Sequence, residues 1–496
     1  MFPENTNGPV VRLDIRGPYS IKNNPRPNLG HHGVGRYLYT GNINGPNSMS
    51  SDQRCQWVDP GNGLIDRAIF TNRDIFEQEQ ETIFTRSWLF IGHDSQIPKP
   101  GDFVSTRMGT EPVILCRDRA GNIRAYLNSC RHRGMKVCLY DEGNTNVFTC
   151  PYHAWSYGLD GALVGLPQQE QLYPDLDKSK WSLIEVAQLI NYKGSIWATW
   201  DKDAPPFLSY LGDAREHIDL TLDHRDGSEG GSEAFIGIHK WVVPCNWKLP
   251  SENFLGDTYH NISHRSVDLV GIGPSAAQGT KGRRDGDLDD AQHVWISFPG
   301  GHGIHSALKP EGAKYREAFQ DNPVVAEYYR HCFEERKRRL GEKSRLLPFV
   351  GTIFPNTSYH GGQPRAICVW HPHGPEETEI WRIFLVDANA PKEVKELLRR
   401  YYMRYSGPAG MTEQDDMENW NYATAGARGP IARRHPFNYQ QSIGQVQSGY
   451  PMAGRVATQV TEENARQYYR HWNLYMKGAD WDQIYQDNRS DAEAAE

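Results

Sequence analysis

The sequence lacks several features that would place the protein in a special class. None of its 496 residues lie in an apolar run close to the roughly 18 residues that a membrane span needs. Its first residues, MFPENTNGPV, do not show the basic and then apolar order of a secretory signal, so we expect a cytoplasmic protein. Its eight cysteines are too few for a disulfide framework, so paired Cys and His residues are interpreted first as metal ligands.

Charge gives no indication of a polyanionic partner. The chain has 54 Lys and Arg against 61 Asp and Glu, a net charge of −7, which argues against nucleic acid and against an anionic membrane surface. Charged residues make up 23%, hydrophobic residues 38% and aromatic residues 11%, values typical of an ordinary globular chain. A small, uncharged or weakly charged molecule remains the favoured class of partner.

The pattern along the chain divides it into four parts. Residues 1–60 are rich in Gly, Pro and Asn and predict an irregular arm. Residues 61–90 include a predicted helix that begins near Asn72, where we expect ordered structure to start. Residues 91–207 contain short β-rich runs between Gly and Asp turns and predict a small all-β domain. Residues 208–496 mix strands with helices, of which APKEVKELLRRYYMRY is the clearest, and predict a larger α+β domain.

Two short loops inside the β-rich part each offer one cysteine and one histidine. The segment NSCRHRGMKVCLYDEGNTNVFTCPYHAWSYG supplies Cys130 and His132 and then, after a gap of 17 residues, Cys150 and His153. Thiolate together with imidazole suits either a structural zinc ion or a 2Fe–2S cluster with histidine ligands. Zinc sites usually present two closely spaced cysteines, so one Cys and one His per loop favours the cluster.

This segment resembles the Rieske iron–sulfur motif, including the flanking RHRG and CPYHAWSY. The resemblance implies that the same two cysteines and two histidines hold a 2Fe–2S cluster. Cys138 lies between the loops but outside the pattern, and we expect it to be a small buried hydrophobic residue. Three basic residues near the first loop are candidates for docking an electron donor: Arg131, Arg133 and Lys136.

A second group of candidate metal ligands follows in PCNWKLPSENFLGDTYHNISHRS. The segment is predicted to be helical after Pro250, with Ser251 as a possible cap. On one helix Asp257, His260 and His264 would fall at i, i+3 and i+7 and project from one face. Two such histidines with one carboxylate can form the facial triad that binds Fe(II) and leaves positions open for dioxygen and substrate.

This run resembles the mononuclear-iron motif in the large (alpha) subunit of Rieske non-haem iron aromatic-ring-hydroxylating dioxygenases, which carry an NWK…ENF-x-GD-x-YH pattern after the Rieske loops. The matching residues are Asn246, Trp247, Lys248, Glu252, Asn253, Phe254, Gly256, Asp257, Tyr259 and His260. The resemblance implies that His260 and His264 bind iron, although the gap of three residues between them is four or five in many relatives. It places the carboxylate ligand at the second Asp of GPAGMTEQDDMENWN, Asp416, with Asp415 as the alternative.

The same resemblance implies the fold class and the assembly. We expect an α+β protein in which a small all-β Rieske 2Fe–2S domain at 91–207 precedes, or is inserted into, a helix-grip catalytic domain of antiparallel sheet and helices at 208–496, on which 61–90 packs. A small β subunit and homotrimeric α contacts would complete an α3β3 hexamer. Asp257 is expected to bridge His260 of its own chain and His153 of the neighbouring subunit.

Electrons from NAD(P)H would reach the chain through a ferredoxin, a reductase or both. The Gly-rich stretch FPGGHGIH shows no strand–turn–helix context with a downstream acidic residue, so the sequence predicts no nucleotide site of its own.

The reaction implied is cis-dihydroxylation of an aromatic ring with O2 as co-substrate, in aromatic hydrocarbon catabolism. Asn253 and Phe254 match pocket positions, and Thr412 and Ser406 stand where hydrocarbon-oxidising relatives can carry bulky aromatics, which favours a polycyclic substrate. Alternatively, Arg265 or another buried basic residue pairs with an aromatic or diterpenoid acid, as for phthalate-like substrates. A Rieske monooxygenase or demethylase of the same fold, and a non-enzymatic electron-transfer or structural metalloprotein, are the remaining hypotheses.

Overall fold

The structure is a computed structural model. It describes residues 57–223, 225–228, 231–270, 291–315, 319, 321–362, 365–447 and 452–486. Residues 1–56 of the predicted irregular arm therefore lie outside the described residues. Across the described ranges, no helix combines the length and the apolar character that a membrane crossing requires.

The first elements precede Asn72, so the expected start of ordered structure there is wrong. The N-terminal elements are β1 (Val58–Asp59), β2 (Leu64–Ile65) and α1 (Arg73–Glu79). Strand β2 also pairs with Phe437–Asn438, far along the chain, which is a contact that local sequence does not reveal. The helix predicted near Asn72 is confirmed, because the Asn72 side chain caps it by accepting the N–H groups of Asp74 and Ile75.

The predicted β-rich part is confirmed as three antiparallel sheets with one short helix. Its elements are β3 (Leu89–His93), β4 (Asp102–Met108), β5 (Glu111–Arg117), β6 (Ile123–Leu127), β7 (Glu142–Asn144), β8 (Val147–Thr149), β9 (Ser156–Gly158), β10 (Leu163–Gly165), α2 (Gln169–Leu172), β11 (Gln188–Tyr192) and β12 (Ser195–Thr199). The sheet orders are β6-β5-β4-β7, β10-β9-β8 and β11-β12-β3. Cys138 is buried in the apolar core of this part, as expected.

The larger part is built on one eight-stranded antiparallel sheet in the order β13-β19-β18-β17-β16-β15-β14-β21. Its elements are α3 (Phe207–Leu211), α4 (Arg215–Leu222), β13 (Ser232–Val243), α5 (Lys248–Asn253), α6 (Arg265–Leu269), β14 (Gln292–Ser297), β15 (Gly303–Leu308), α7 (Pro323–Leu340), β16 (Leu346–Ile353), β17 (Thr357–His360), β18 (Ala366–Gly374), β19 (Glu377–Asp387), α8 (Lys392–Tyr405), α9 (Met411–Ala427), β20 (Phe437–Asn438), β21 (Arg455–Ala457), α10 (Glu463–Met476) and α11 (Trp481–Gln486).

The helix predicted in this part is confirmed. Helix α8 begins directly after Pro391 and buries Val394, Leu398 and Tyr402 along one face. The stretch FPGGHGIH forms the turn between β14 and β15 and the first residues of β15.

The single helix expected after Pro250 is wrong. Helix α5 already begins at Lys248, so Ser251 lies inside it, where its hydroxyl donates to the Trp247 carbonyl. The helix cannot continue because Gly256 has a φ of +110°. A β-carbon at Gly256 would also lie 2.6 Å from the β-carbon of His305, so only glycine fits. The two candidate metal-binding histidines therefore lie on a separate 3-10 helix, Tyr259–His264.

A fully buried ion pair anchors α5 to the N-terminal helix. The Lys248 ammonium contacts the Glu79 carboxylate at 2.5 Å, and both side chains have no solvent exposure. The indole N–H groups of Trp247 and Trp472 donate to the same carboxylate, each at 2.9 Å. The pair therefore joins α1, α5 and α10 at one point beneath the segment that carries the histidines.

Breaking this pair is expected to be strongly destabilising. Lys248→Met leaves the Glu79 charge buried without a partner, and we expect a loss of about 3–5 kcal/mol in the free energy of unfolding. Adding Glu79→Gln removes the second charge and keeps an acceptor for one of the two tryptophans, so the double variant should regain part of that loss. Urea denaturation followed by tryptophan fluorescence measures both; a single variant as stable as the parent would contradict the prediction.

Candidate functional site

Two loops of the small β-rich part carry the predicted cluster ligands, and both use the same backbone turn. The N–H of Gly134 donates to the Cys130 carbonyl, and the N–H of Ala154 donates to the Cys150 carbonyl, each at 2.9 Å. Gly134 and Ala154 both have a positive φ, +73° and +56°, a conformation that is easy for glycine and strained for alanine. The repeated turn gives the two loops equivalent geometry for holding one group between them.

The four predicted ligand side chains converge between these loops. The ring centroids of His132 and His153 are 4.6 Å apart, and Cys130 and Cys150 are both buried in one apolar cluster. Burial raises the pKa of the Cys150 thiol, and the neighbouring Cys130 thiol adds to the effect. The Nδ1 atom of His132 is buried and finds no hydrogen-bond partner in the described part of the chain. Two thiols and two imidazoles, one with an orphaned nitrogen, fit a Rieske 2Fe–2S cluster.

Aromatic side chains enclose this group. Trp155 stacks on His132 with centroids 5.0 Å apart and planes 8° from parallel, and Tyr152 lies 3.7 Å from the His153 ring. The Tyr157 hydroxyl lies 3.3 Å from the Cys130 sulfur. Hydrogen bonds and burial at the sulfurs are the means by which a protein sets a cluster's reduction potential.

Of the three basic residues near the first loop, Arg131 is engaged within its own domain. It donates to the Ser182 carbonyl at 2.8 Å, and its guanidinium lies 5.6 Å from the Trp181 ring centroid. Arg133 and Lys136 are exposed. A role in docking an electron donor stays a prediction for these two residues.

The second site brings together His260, His264 and Asp416, and their ligand atoms lie close to one another. The two Nε2 atoms are 3.2 Å apart, and the Asp416 Oδ1 lies 3.2 Å from the first and 3.1 Å from the second. Three cis ligands about 2.1 Å from an octahedral metal ion are separated by about 3.0 Å. The three atoms therefore have the spacing of a facial triad, even though only three residues separate the histidines.

Each histidine has a second aspartate on its other ring nitrogen. Asp257 Oδ2 lies 3.2 Å from Nδ1 of His260, and Asp415 Oδ2 lies 3.3 Å from Nδ1 of His264. Such carboxylates orient a metal-binding imidazole and increase its basicity. Asp415, which the sequence offered only as an alternative ligand, is thus placed behind a histidine and not among the three converging atoms.

The charges at this site favour a cation. Burial alone would lower the pKa of His260, but hydrogen bonds with Asp257 and Asp416 raise it to about 10. Burial would raise the pKa of Asp416, but the hydrogen bonds with His260 and His264 lower it to about 2. The carboxylates that stabilise positive charge on these rings would equally stabilise a divalent metal ion bound by the neutral imidazoles.

The structure gives the contacts and burial of the predicted pocket residues, and their role in a substrate pocket stays a prediction. Phe254 is buried against Trp370, with ring centroids 5.1 Å apart, and the Asn253 side chain accepts from the Trp420 indole at 3.4 Å. Thr412 and Ser406 are both buried, at the start of α9 and at the end of α8. Arg265, the candidate partner for an acidic substrate, is instead exposed at the start of α6.

Sequence reasoning missed several residues that shape the site. The indole of Trp295 donates to the Gly256 carbonyl at 2.7 Å and fixes the break after α5. Arg382 and Glu413 form a buried ion pair under the first turn of α9, three residues before Asp416. No local signal marks these contacts, because the partners are far apart in the sequence.

Comparisons with known proteins agree with this architecture. The sequence matches the Rieske [2Fe-2S] domain family over residues 87–186 and the family described as ring hydroxylating alpha subunit (catalytic domain) over residues 209–478. The biphenyl 2,3-dioxygenase alpha subunit of Rhodococcus jostii (strain RHA1) is 40% identical over 437 residues, covering 86% of this chain and 91% of the relative. The large oxygenase component of the naphthalene 1,2-dioxygenase system of Pseudomonas aeruginosa is 31% identical over 438 residues, covering 83% and 91%.

A solved structure of naphthalene 1,2-dioxygenase from Rhodococcus sp. bound to indole superposes with a TM-score of 0.71 at 32% identity, covering 84% of this chain and 94% of the other. A Rieske domain followed by a large sheet with an open-sided metal site is the architecture of an oxygenase component. The chain belongs to the alpha subunits of the Rieske-type ring-hydroxylating dioxygenases. These enzymes use a 2Fe–2S cluster, a mononuclear iron and O2, with electrons supplied by partner proteins.

The two neighbouring aspartates on α9 are expected to behave differently when changed. Asp416→Asn should abolish binding of iron at the triad, whereas Asp415→Asn should weaken it about 10- to 100-fold, because only the orientation of His264 is affected. Equilibrium dialysis with metal analysis measures both, and the visible spectrum of the 2Fe–2S cluster serves as an internal control. Retention of iron in Asp416→Asn with loss in Asp415→Asn would reverse the assignment.

Proposed function

We propose that this chain is a terminal oxygenase alpha subunit that cis-dihydroxylates an aromatic ring of a polycyclic hydrocarbon. The observation that carries the proposal is the close set of ligand atoms from His260, His264 and Asp416, which would hold a metal ion from one side and leave other positions for the reactants. An iron held there supplies the dioxygen chemistry, with electrons from a 2Fe–2S cluster held by Cys130, His132, Cys150 and His153.

The surrounding residues bind, orient and exclude water. Asp257 and Asp415 face the Nδ1 atoms of the two histidines, which favours a proton on each Nδ1 and would leave both Nε2 lone pairs for the metal. Phe254, Trp370 and Trp420 pack together as an apolar cluster, in which Trp420 lies one helical turn after Asp416 on α9 and contacts Trp370 edge-on at 5.6 Å. Apolar surroundings of this kind would favour an aromatic substrate and strengthen electrostatic interactions inside the site.

The substrate class is inferred from side-chain size and charge. Thr412 and Ser406 are small buried residues, which supports room for more than one ring. The relatives are named for biphenyl, benzene and naphthalene, all uncharged aromatics. Arg265 is exposed and Arg382 is neutralised by Glu413, so neither supports a carboxylate as substrate. We therefore favour the hydrocarbon over an aromatic or diterpenoid acid.

The test is incubation of the reduced protein with matched hydrocarbons and aromatic acids under dioxygen labelled with heavy oxygen. We expect a cis-dihydrodiol that carries two labelled atoms, detected by mass spectrometry. A product with one labelled atom would replace this proposal with monooxygenation or demethylation, and turnover of the acids alone would overturn the proposed substrate class.

Filling the space near the triad should select against larger substrates. Thr412 lies one helical turn before Asp416, so Thr412→Trp places an indole on the face of α9 that carries the metal ligand. We expect kcat/KM for a three-ring substrate to fall by about tenfold or more, with little change for a single ring. Met411→Trp, on the exposed neighbouring position, is the matched control. Equal losses for both substrates would contradict a size filter at Thr412.

We also propose the domain boundaries given above, a cytoplasmic location and an α3β3 assembly.

In this assembly the cluster of one alpha subunit would lie beside the triad of the next. Exposed apolar side chains near both sites support such a contact: Leu139, Tyr140 and Tyr152 near the cluster loops, and Tyr259 and Ile262 on the 3-10 helix. A groove of about 440 Å³ beside the second cluster loop adds to this surface. The side chain of Asp257 is 46% exposed, so it is available to bridge His260 and His153 of the neighbouring subunit.

Removing this bridge should separate metal binding from electron transfer. We expect Asp257→Ala to keep both metal centres but to slow reoxidation of the reduced cluster by substrate and dioxygen about 10- to 100-fold. Stopped-flow absorbance of the cluster measures the rate, and metal analysis confirms occupancy. Tyr259→Phe, which changes only an adjacent exposed hydroxyl, should react at the parental rate. Undiminished reoxidation in Asp257→Ala would refute the bridge.

A further inference from the structure

A buried ion pair lies directly beneath the helix that carries Asp416. The Arg382 guanidinium on β19 donates to the Glu413 carboxylate at 2.6 Å, and the two side chains are 1% and 4% exposed. In the sheet, Arg382 lies between His239 on one side and Cys368 on the other. Burial lowers the pKa of His239 and raises the pKa of Cys368, so both are neutral and neither offers Arg382 a counter-charge. Glu413 does.

Glu413 connects two parts of the catalytic domain. It lies in the first turn of α9 and pairs with Arg382 of the sheet. The cap position of α9 is Gly410, which has no side chain with which to fix the start of the helix. The first turn of α9 is therefore held in place through Glu413.

The position of this turn matters because Asp416 follows Glu413 by three residues, on the neighbouring part of the helix surface. The two carboxylates repel each other, and the charge of Arg382 acts on both. Without Arg382, the buried charge of Glu413 would lose its partner and the repulsion would displace the turn.

We propose that Arg382 is a positioning residue for the metal site: through its ion pair with Glu413 it fixes the first turn of α9 and so holds the Asp416 carboxylate against the Nε2 atoms of His260 and His264. The inference rests on the proposed function only in assuming that this triad binds a divalent metal. It adds a determinant of metal affinity that touches neither the metal nor the substrate.

The structure offers a matched control in a second buried pair on the same sheet. Arg365 donates to Asp387 at 2.7 Å, and these side chains are 3% and 2% exposed. Its other hydrogen bonds go to the carbonyls of Asp223 and Leu385, away from α9. Arg365→Met should therefore destabilise the fold in the same way as Arg382→Met without altering the triad.

The experiment measures the affinity of the iron-depleted protein for Co(II) by equilibrium dialysis, with the Co(II) absorption bands as a readout of coordination. We expect Arg382→Met to bind Co(II) about 10- to 100-fold more weakly than the parent and with altered bands. Arg382→Lys, which keeps the charge, should recover most of the affinity, and Arg365→Met should bind like the parent. Equal affinities in Arg382→Met and Arg365→Met would overturn the proposal.

A second variant decides the outcome if Arg382→Met does not fold. Arg382→Met combined with Glu413→Leu removes both charges and should fold, since replacing a buried pair by apolar residues is often neutral. We expect this double variant to regain thermal stability but to keep the weakened Co(II) binding, because no ion pair then holds the first turn of α9 to the sheet. Native stability together with native affinity would overturn the proposal. If the parent protein itself fails to bind Co(II), the metal triad is refuted instead, so the two failures are distinguishable.

Discussion

The buried ion pair between Glu79 and Lys248 is the interaction on which the catalytic half of the molecule depends. A charge without solvent must be paired, and here one carboxylate accepts from an ammonium and two indole N–H groups that come from two distant parts of the chain. Helices α1, α5 and α10 consequently meet at one point. From that point α5 runs only as far as Asn253, and the chain turns at Gly256 to present its histidines.

The two metal centres share a principle of construction in which short, rigid backbone turns place the ligands and neighbouring groups orient them. In the Rieske domain, the same turn follows Cys130 and Cys150, and aromatic rings enclose the imidazoles. At the triad, an aspartate stands behind each histidine. The third ligand comes from α9, whose first turn is tied to the sheet by Glu413. Ligands on separate elements can therefore meet within about 3 Å of one another.

Much of the site was predictable, and the failures have specific physical causes. The paired cysteines and histidines were recognisable because their spacing is local and their chemistry is restrictive, whereas Asp416 and the bridging role of Asp257 came only from the family resemblance. The helix after Pro250 was predicted wrongly, because its break is enforced by the close approach of Gly256 to His305, about fifty residues later. Trp247 and Lys248 were recognised as parts of a motif, but their partner Glu79 lies more than 160 residues away, so their structural role was invisible.

The sequence by itself determined the two classes of metal centre, the order of the domains and the strand-rich or helical character of each part. These properties depend on residue type and on short-range spacing, which the chain carries explicitly. Only the tertiary structure showed that Asp415, the alternative ligand, lies behind His264 while Asp416 joins the two histidines, and that Arg382 lies beneath α9. Such assignments depend on contacts of about 3 Å between residues far apart in the chain, and these are set only when the core is packed.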